Sequence, residues 1–236
     1  MIFKEFLKIG HRGAMAYAVE NSRESIKKAF ELDANMVEVD IRYTRNNIPL
    51  VFHDEKTNRI TNGQKIVGNT DFSELKTLKL KNGERILSLE ELLHLIPKNA
   101  FLNIELKEKK ISKTFIEVLS KFDTKKILFS SFYHEPVLKL KDFFREIKSG
   151  VLLVGRPLNI LELAKETKAD YLDLNYEFVD KELIDAAHLE GIGVVVWKIN
   201  ELELMQKFID LEVDGIISDN PALFNKIPII NNLKET

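Results

Sequence analysis

Glu38 and Asp40 stand two residues apart in the run Val37-Glu-Val-Asp-Ile41, and Glu105 stands in a second run, Phe101-Leu-Asn-Ile-Glu-Leu-Lys107. Side chains two apart on an extended chain share a face, so Glu38 projects with Asp40, and Asn103 with Glu105 and Lys107. If the two runs are neighbours in one sheet, three carboxylates converge. Such a cluster repels itself unless a positive charge neutralises it. Oxygen-only ligation selects a hard ion, which predicts one divalent cation, Mg2+ or Ca2+, and argues against zinc. The competing reading is a structural network in which Glu105 pairs only with Lys107 or Arg12.

Two histidines stand at the ends of other apolar runs. His11-Arg12-Gly13 follows Phe6–Gly10, and His53-Asp54 follows Ile48–Phe52. A histidine pair supplies a base and an acid near neutral pH, and a guanidinium is the natural bidentate ligand of a phosphate. With the predicted cation, the set reads as metal-assisted phosphodiester hydrolysis. Asp54 either orients His53 or caps the loop that follows. Leu128-Phe-Ser-Ser-Phe132 lacks the Gly-x-Ser-x-Gly setting of a serine nucleophile, so Ser130 and Ser131 read as strand-end hydrogen-bonding groups. With no cysteine, thiolate nucleophiles, disulfides and cysteine-ligated metals are excluded.

Positioning these groups requires strands that end together. Eight strand candidates recur along the chain, at 6–10, 36–43, 101–106, 127–132, 148–154, 171–175, 193–199 and 215–218. Most are separated by helical patterns, such as Phe115, Val118, Leu119 and Phe122, or Leu183, Ile184 and Ala187. Intervals of this length imply parallel pairing through crossover helices. The fold class is α/β, and eight such units predict a closed (β/α)8 TIM barrel. An open doubly wound sheet is the runner-up, but no Gly-x-Gly-x-x-Gly fingerprint follows any strand.

Two intervals depart from the βα rhythm. Between Tyr43 and Leu50 there is no room for a helix, so the second run returns antiparallel. Asn46-Asn47 predicts a two-residue type I′ turn that places Asp40 opposite His53. The chain then spends residues 55–85, polar and turn-rich, on a small rim insertion. Ser88-Leu-Glu-Glu91 marks a helix start beyond it. Residues 1–236 thus read as a single domain carrying that insertion.

Composition narrows the partners. Lys+Arg 35 against Asp+Glu 37 leaves a formal charge of −2, which points to neither nucleic acid nor an anionic membrane surface. The first ten residues are too short and charged for a signal peptide, and no apolar run reaches membrane-spanning length. The expectation is a cytoplasmic protein with no stable membrane association.

Seven motifs in order resemble one family, the glycerophosphodiester phosphodiesterases. They are His11-Arg12-Gly13, Glu20-Asn21-Ser22, Glu38-x-Asp40, His53-Asp54, Leu102–Lys107, Trp197 with Asn200, and Asp214–Pro221, covering residues 9–226. The resemblance implies a TIM barrel whose cation is held by Glu38, Asp40 and Glu105. It implies His11 and His53 as the acid–base pair, with His11 favoured as base, and places Arg12 and Lys107 on the phosphate. It also places Trp197 beside the alcohol part of the substrate, with Phe132 and Tyr176 as further wall candidates. The implied substrate is a small glycerophosphodiester, cleaved to glycerol-3-phosphate and an alcohol. A lysophospholipase D-like phosphodiesterase and a non-catalytic phosphodiester-binding barrel are the alternatives. Two departures are visible: Asn46-Asn47 stands where the family often has Asp-Gly, and Ser218-Asp-Asn-Pro221 varies a closing motif that often carries an arginine.

Overall fold

The computed structural model describes Phe3 and residues 5–227; the remaining ends of the expected 1–236 domain, Met1 and Ile2 of its start among them, lie outside the described residues. All eight expected strands form. They are β1 (Leu7–Gly10), β2 (Met36–Tyr43), β4 (Phe101–Leu106), β5 (Ile127–Ser131), β6 (Lys148–Leu153), β7 (Tyr171–Asn175), β8 (Gly193–Trp197) and β9 (Gly215–Ser218), with β3 (Pro49–Val51) returning from β2. The eight pair in parallel around a ring, β1-β9-β8-β7-β6-β5-β4-β2, closed by β2 on β1. This is a (β/α)8 barrel, and its eight strand ends open on one face.

Crossover helices cover the outside. Helix α1 (Arg23–Glu31) starts at Ser22, whose side chain accepts from Ser25 N, and buries Ile26 and Ala29. Helices α4 (Lys113–Leu119) and α7 (Lys181–Leu189) bury the apolar positions that their periodicity marks. The capping box of Ser88 and Glu91 forms at the start of α3 (Leu89–Leu93). Helix α5 (His134–Phe143) was not marked by periodicity. Its Pro136 sits in the first turn, where a missing N–H costs no hydrogen bond.

Inside the barrel, Leu7, Ile9, Met36, Phe101, Leu128, Tyr171, Val195 and Ile217 form an apolar plug, closed by Phe3. Gly193 makes room for it: a Cβ there would lie 2.5 Å from the Tyr171 ring. The lower half is therefore dry packing, and polar side chains occupy the upper half of the same inward faces.

The hairpin departs from expectation. Pairing runs Ile41 to Val51, Arg42 to Leu50 and Tyr43 to Pro49, one residue off the predicted register. Asn47 alone adopts a positive φ, 58°, so the loop has three residues, Arg45 to Asn47. Thr44 explains the choice, because its Oγ1 donates to Asn46 Oδ1 and accepts from Ile48 N. These bonds favour the longer turn with one left-handed residue. Phe52 N consequently donates to Asp40 O, and His53 lies one residue past that pair.

Residues 55–85 hold more apolar order than their composition promised. Ile60, Val67, Leu75 and Leu80 pack with Leu50, Phe52 and Ile86 into a small cluster of their own. Val67 lies on a three-residue 3-10 turn (Val67–Asn69), Leu75 on the four-residue α2 (Phe72–Leu75), and Ile60 just past a second 3-10 turn (Thr57–Arg59); elements so short leave no periodicity to read.

Gly13 ties the first strand end to α1. It sits at φ 85°, and a Cβ would lie 2.4 Å from Ser25 Oγ and 2.5 Å from the Ser25 carbonyl carbon. Both the backbone conformation and the contact exclude a side chain. Gly13→Ala is expected to cost about 3 kcal/mol or more of unfolding free energy, a fall of roughly 6–12 °C in melting temperature. Calorimetric melting checks it; a shift under about 2 °C would contradict the packing described.

Candidate active site

The register of β2 against β4 sets Asp40 beside Glu105 and Glu38 beside Asn103. One oxygen from each of Glu38, Asp40 and Glu105 lies within 4.8 Å of the others, and all three residues are buried. The strand end of β1 brings in the first cation. Arg12 N donates to Glu38 Oε2 at 2.9 Å, while Arg12 Nη1 donates to Glu20 Oε1 at 2.8 Å. Its Nε lies 3.2 Å from Asp40 Oδ2. Lys107 brings in the second, with Nζ 3.0 Å from Asp40 Oδ1 and in direct contact with Glu105 Oε1. Asn21, held at φ 57°, donates from Nδ2 to Asp40 Oδ2 at 2.8 Å.

The Glu105–Lys107 pair of the competing reading forms, whereas Arg12 pairs with Asp40 and Glu20, and together these contacts leave the cluster incompletely neutralised. Two cations face three carboxylates, and Glu38 Oε1 is buried without a hydrogen-bond partner among the described residues. Burial, reinforced by Asp40 and Glu105, pushes Glu38 well above the usual carboxylate range. Glu105 is raised to about 7 by burial and by Asp40, against the pull of Lys107. Asp40 goes the other way, to about 2, because Lys107 and Arg12 outweigh its burial. An all-oxygen set with an unpartnered inward oxygen fits a hard divalent cation.

Each histidine is anchored by an aspartate. His11 Nδ1 lies 2.5 Å from Asp219 Oδ1, which leaves Nε2 on the cavity side, 4.0 Å from Glu38 Oε2. Asp219 is fixed in turn by Lys198 Nζ at 2.8 Å and Asn200 Nδ2 at 2.7 Å, both on Oδ2. His53 Nδ1 lies 2.7 Å from Asp54 Oδ1, so Asp54 orients His53. Arg59 then bonds Asp54 Oδ2 at 2.6 Å and grips Glu20 through both Nη atoms, at 2.5 and 2.6 Å. A charged chain thus runs from His53 through Asp54, Arg59 and Glu20 to Arg12, and it locks residues 55–85 onto the barrel mouth. Burial lowers the pKa of both histidines, against the pull of their carboxylate neighbours.

These groups share one cavity of about 260 Å³. His11, Arg12, His53, Glu38, Glu105 and Lys107 line its polar side. Trp197, Phe132, Leu152 and Ile217 supply its apolar lining, with the Trp197 and Phe132 rings edge to face at 5.8 Å. Trp197 is held by a hydrogen bond from Nε1 to Asp173 O at 3.0 Å. Asp40 lies just behind the carboxylates that line the cavity, and every other residue singled out for catalysis, phosphate or metal lines it directly. Tyr176 is not among its lining. That ring packs against Phe208, 6.1 Å away, because Asn175 turns the chain outward after β7.

Several polar residues of the site escaped the sequence reading, among them Asp219, Asn21, Arg59, Lys198 and Asp173. Asp219 and Asn21 lie inside quoted motifs without an assigned role, and only the closing of β9 onto β1 brings Asp219 to His11. Asn220, at the departure noted in the closing motif, accepts from the Tyr17 hydroxyl at 2.9 Å.

A (β/α)8 barrel with carboxylates, carboxylate-backed histidines and two cationic side chains around one cavity has the makings of an enzyme acting on anionic esters. Residues 11–223 match the model of the glycerophosphoryl diester phosphodiesterase family, and the chain belongs to that family. A glycerophosphodiester phosphodiesterase of Caldanaerobacter subterraneus subsp. tengcongensis is 30% identical over 229 residues, covering 91% of this chain and 94% of its own length. Among solved structures, a glycerophosphodiester phosphodiesterase of Thermotoga maritima superposes with a TM-score of 0.80 at 30% identity, covering 93% of this chain and 97% of the other. A phosphodiesterase of Oleispira antarctica, in complex with the product sn-glycerol-3-phosphate, gives 0.85 at 26% identity, covering 97% and 96%.

Proposed function

We propose that this protein hydrolyses glycerophosphodiesters to glycerol-3-phosphate and an alcohol, with one divalent cation, Mg2+ or Ca2+, held by Glu38, Asp40 and Glu105. The observation that carries the reading is the convergence of three buried carboxylates with two aspartate-backed histidines on one cavity. When bound, the cation polarises a phosphoryl oxygen and offsets the charge that develops on it. Arg12 and Lys107 hold the phosphate through charge-assisted hydrogen bonds. His11, with Nδ1 committed to Asp219, presents Nε2 to take the proton of the attacking oxygen, either water or the glycerol 2-hydroxyl attacking internally through a cyclic phosphate. His53, backed by Asp54, returns a proton to the leaving alcohol oxygen. Trp197 and Phe132 wall the alcohol side. Residues 55–85 form the rim of one catalytic domain and position His53 through Arg59.

In this reading the partner is a small-molecule diester and the place of action the cytoplasm. The formal charge of −2 accords with a partner other than nucleic acid. Among the described residues no helix is long and apolar enough to cross a membrane.

Glycerophosphocholine supplied with Mg2+ or Ca2+ is expected to yield glycerol-3-phosphate and choline in equal amounts, followed by enzymatic assay of both products. Release of glycerol and phosphocholine would place the cleavage on the other side of phosphorus. No cleavage of any glycerophosphodiester with either cation would overturn the reading.

A further inference from the structure

Asp173 stands apart from the groups used above. It is fully buried, and neither carboxyl oxygen has an aligned hydrogen bond among the described residues. Its neighbour Asn103, also fully buried, bears on the Asp173 carboxyl, yet its Nδ2 makes no aligned hydrogen bond there. Asn103 Oδ1 is already taken by Ser130 Oγ at 2.9 Å, which fixes the amide. All three residues line the floor of the cavity.

This polar floor is costly. Positions inside a barrel are ordinarily filled by branched aliphatic side chains, and an aliphatic residue at 173 would continue the apolar plug at no desolvation cost. Under-satisfied buried polar atoms lining a cavity mark a place where a water or a ligand group completes their hydrogen bonds. Contact with Asn103 alone leaves the Asp173 carboxyl short of hydrogen-bond partners, so a ligand group here donates to Asp173 and can also accept from Asn103 Nδ2. A hydroxyl does both. In either protonation state the Asp173 carboxyl offers an acceptor oxygen, so the match does not depend on its titration.

Depth decides which hydroxyl. Asn103 lies two residues below Glu105 on β4, about 6.6 Å along the strand, and that is the reach from a phosphorus to the far hydroxyl of a glycerol esterified to it. We infer that Asp173, with Asn103 and Ser130, binds the terminal hydroxyl of the glycerol moiety, so that the substrate enters glycerol first and its other alcohol points out past Phe132. The inference rests on the phosphodiesterase reading above and adds its specificity determinant. At the far end of the substrate Phe132 and Lys198 at the cavity mouth are partly exposed, and among the described residues no comparable set of buried polar groups lines it. Discrimination therefore falls on the glycerol, and head groups are tolerated.

The test compares glycerophosphocholine with 2-hydroxypropyl phosphocholine, which lacks only the terminal hydroxyl and keeps the 2-hydroxyl that an internal attack would use. The wild-type protein is expected to prefer the glycerol ester by about 100-fold or more in kcat/KM, because a site built to bond a hydroxyl rejects the analogue that leaves its polar groups unpaired. Asp173→Leu should shrink that preference by about tenfold or more. An unchanged ratio in the variant, with both substrates falling together, would overturn the assignment while leaving the phosphodiesterase reading intact. Calorimetry on the wild-type protein gives a check that needs no variant: sn-glycerol-3-phosphate should bind about tenfold tighter than 2-hydroxypropyl phosphate. Equal affinity would overturn the inference. A wild-type protein that cleaves no glycerophosphodiester would instead overturn the activity, and this inference with it.

Discussion

Asp40→Asn is expected to lower kcat by about 10³-fold or more and to abolish tight binding of the divalent cation. Asp40 is the most constrained member of the carboxylate cluster. It is fully buried, receives Asn21 Nδ2, and lies against both Arg12 and Lys107. Those two cations hold its pKa near 2 despite burial, so it stays ionised throughout the working pH range. The amide has the same shape but no charge. It leaves Arg12 and Lys107 facing a cluster that has lost its one firmly ionised member. Because the replacement is isosteric, the fold should survive, and melting of the metal-free variant should stay within a few degrees of wild type. Titration calorimetry with Mg2+ and Ca2+, alongside turnover, reads both effects. Unchanged cation affinity in Asp40→Asn would exclude this residue from the metal site.

The histidines carry the second large effect. His11→Ala and His53→Ala are each expected to cost about 10³-fold in kcat, with KM changed by no more than a few-fold, since proton transfer belongs to the transition state and phosphate binding to Arg12 and Lys107. The aspartate behind His11 makes a sharper prediction. Asp219 accepts from Nδ1–H and so keeps the lone pair on Nε2, facing the cavity. An amide in Asp219→Asn can donate to Nδ1 and reverse the tautomer, with an expected loss of about 100-fold or more. The pH profile follows from burial, which lowers the His11 pKa below 6.5. A base must be neutral to act, so kcat/KM falls as pH drops, with the midpoint of that acid limb below 6.5. Equal kcat in His11→Ala would remove it from the reaction.

What the sequence made legible, and what it hid, divides by range. The strands of the barrel were readable because each is a short apolar run between helical repeats, and in a parallel barrel both faces are covered. Glu38, Asp40 and Glu105 stood out as charges in runs where charge is expensive. Asp173 did not, because Tyr171-Leu-Asp-Leu-Asn175 alternates like a half-solvated strand, and only the closed ring shows that Asp173 faces inward. Asp219 reaches His11 across 208 residues, a proximity set by the last strand pairing beside the first. The hairpin register turned on one side chain, Thr44, whose two loop hydrogen bonds select a three-residue turn over the two-residue turn that Asn46-Asn47 suggested. Arg59 lies on a 3-10 turn too short to leave a pattern, yet it joins His53's aspartate to Arg12's glutamate.

The central claim, that the carboxylate cluster works through a divalent cation, is tested most directly by removal and return. Glycerol-3-phosphate release from glycerophosphocholine is measured before chelation, after exhaustive EDTA treatment with elemental analysis confirming that metal is gone, and after adding back Mg2+ or Ca2+ singly. The account predicts that turnover falls by about 100-fold or more in the stripped protein and returns with one of the two ions. Full activity in protein shown to be metal-free would contradict it.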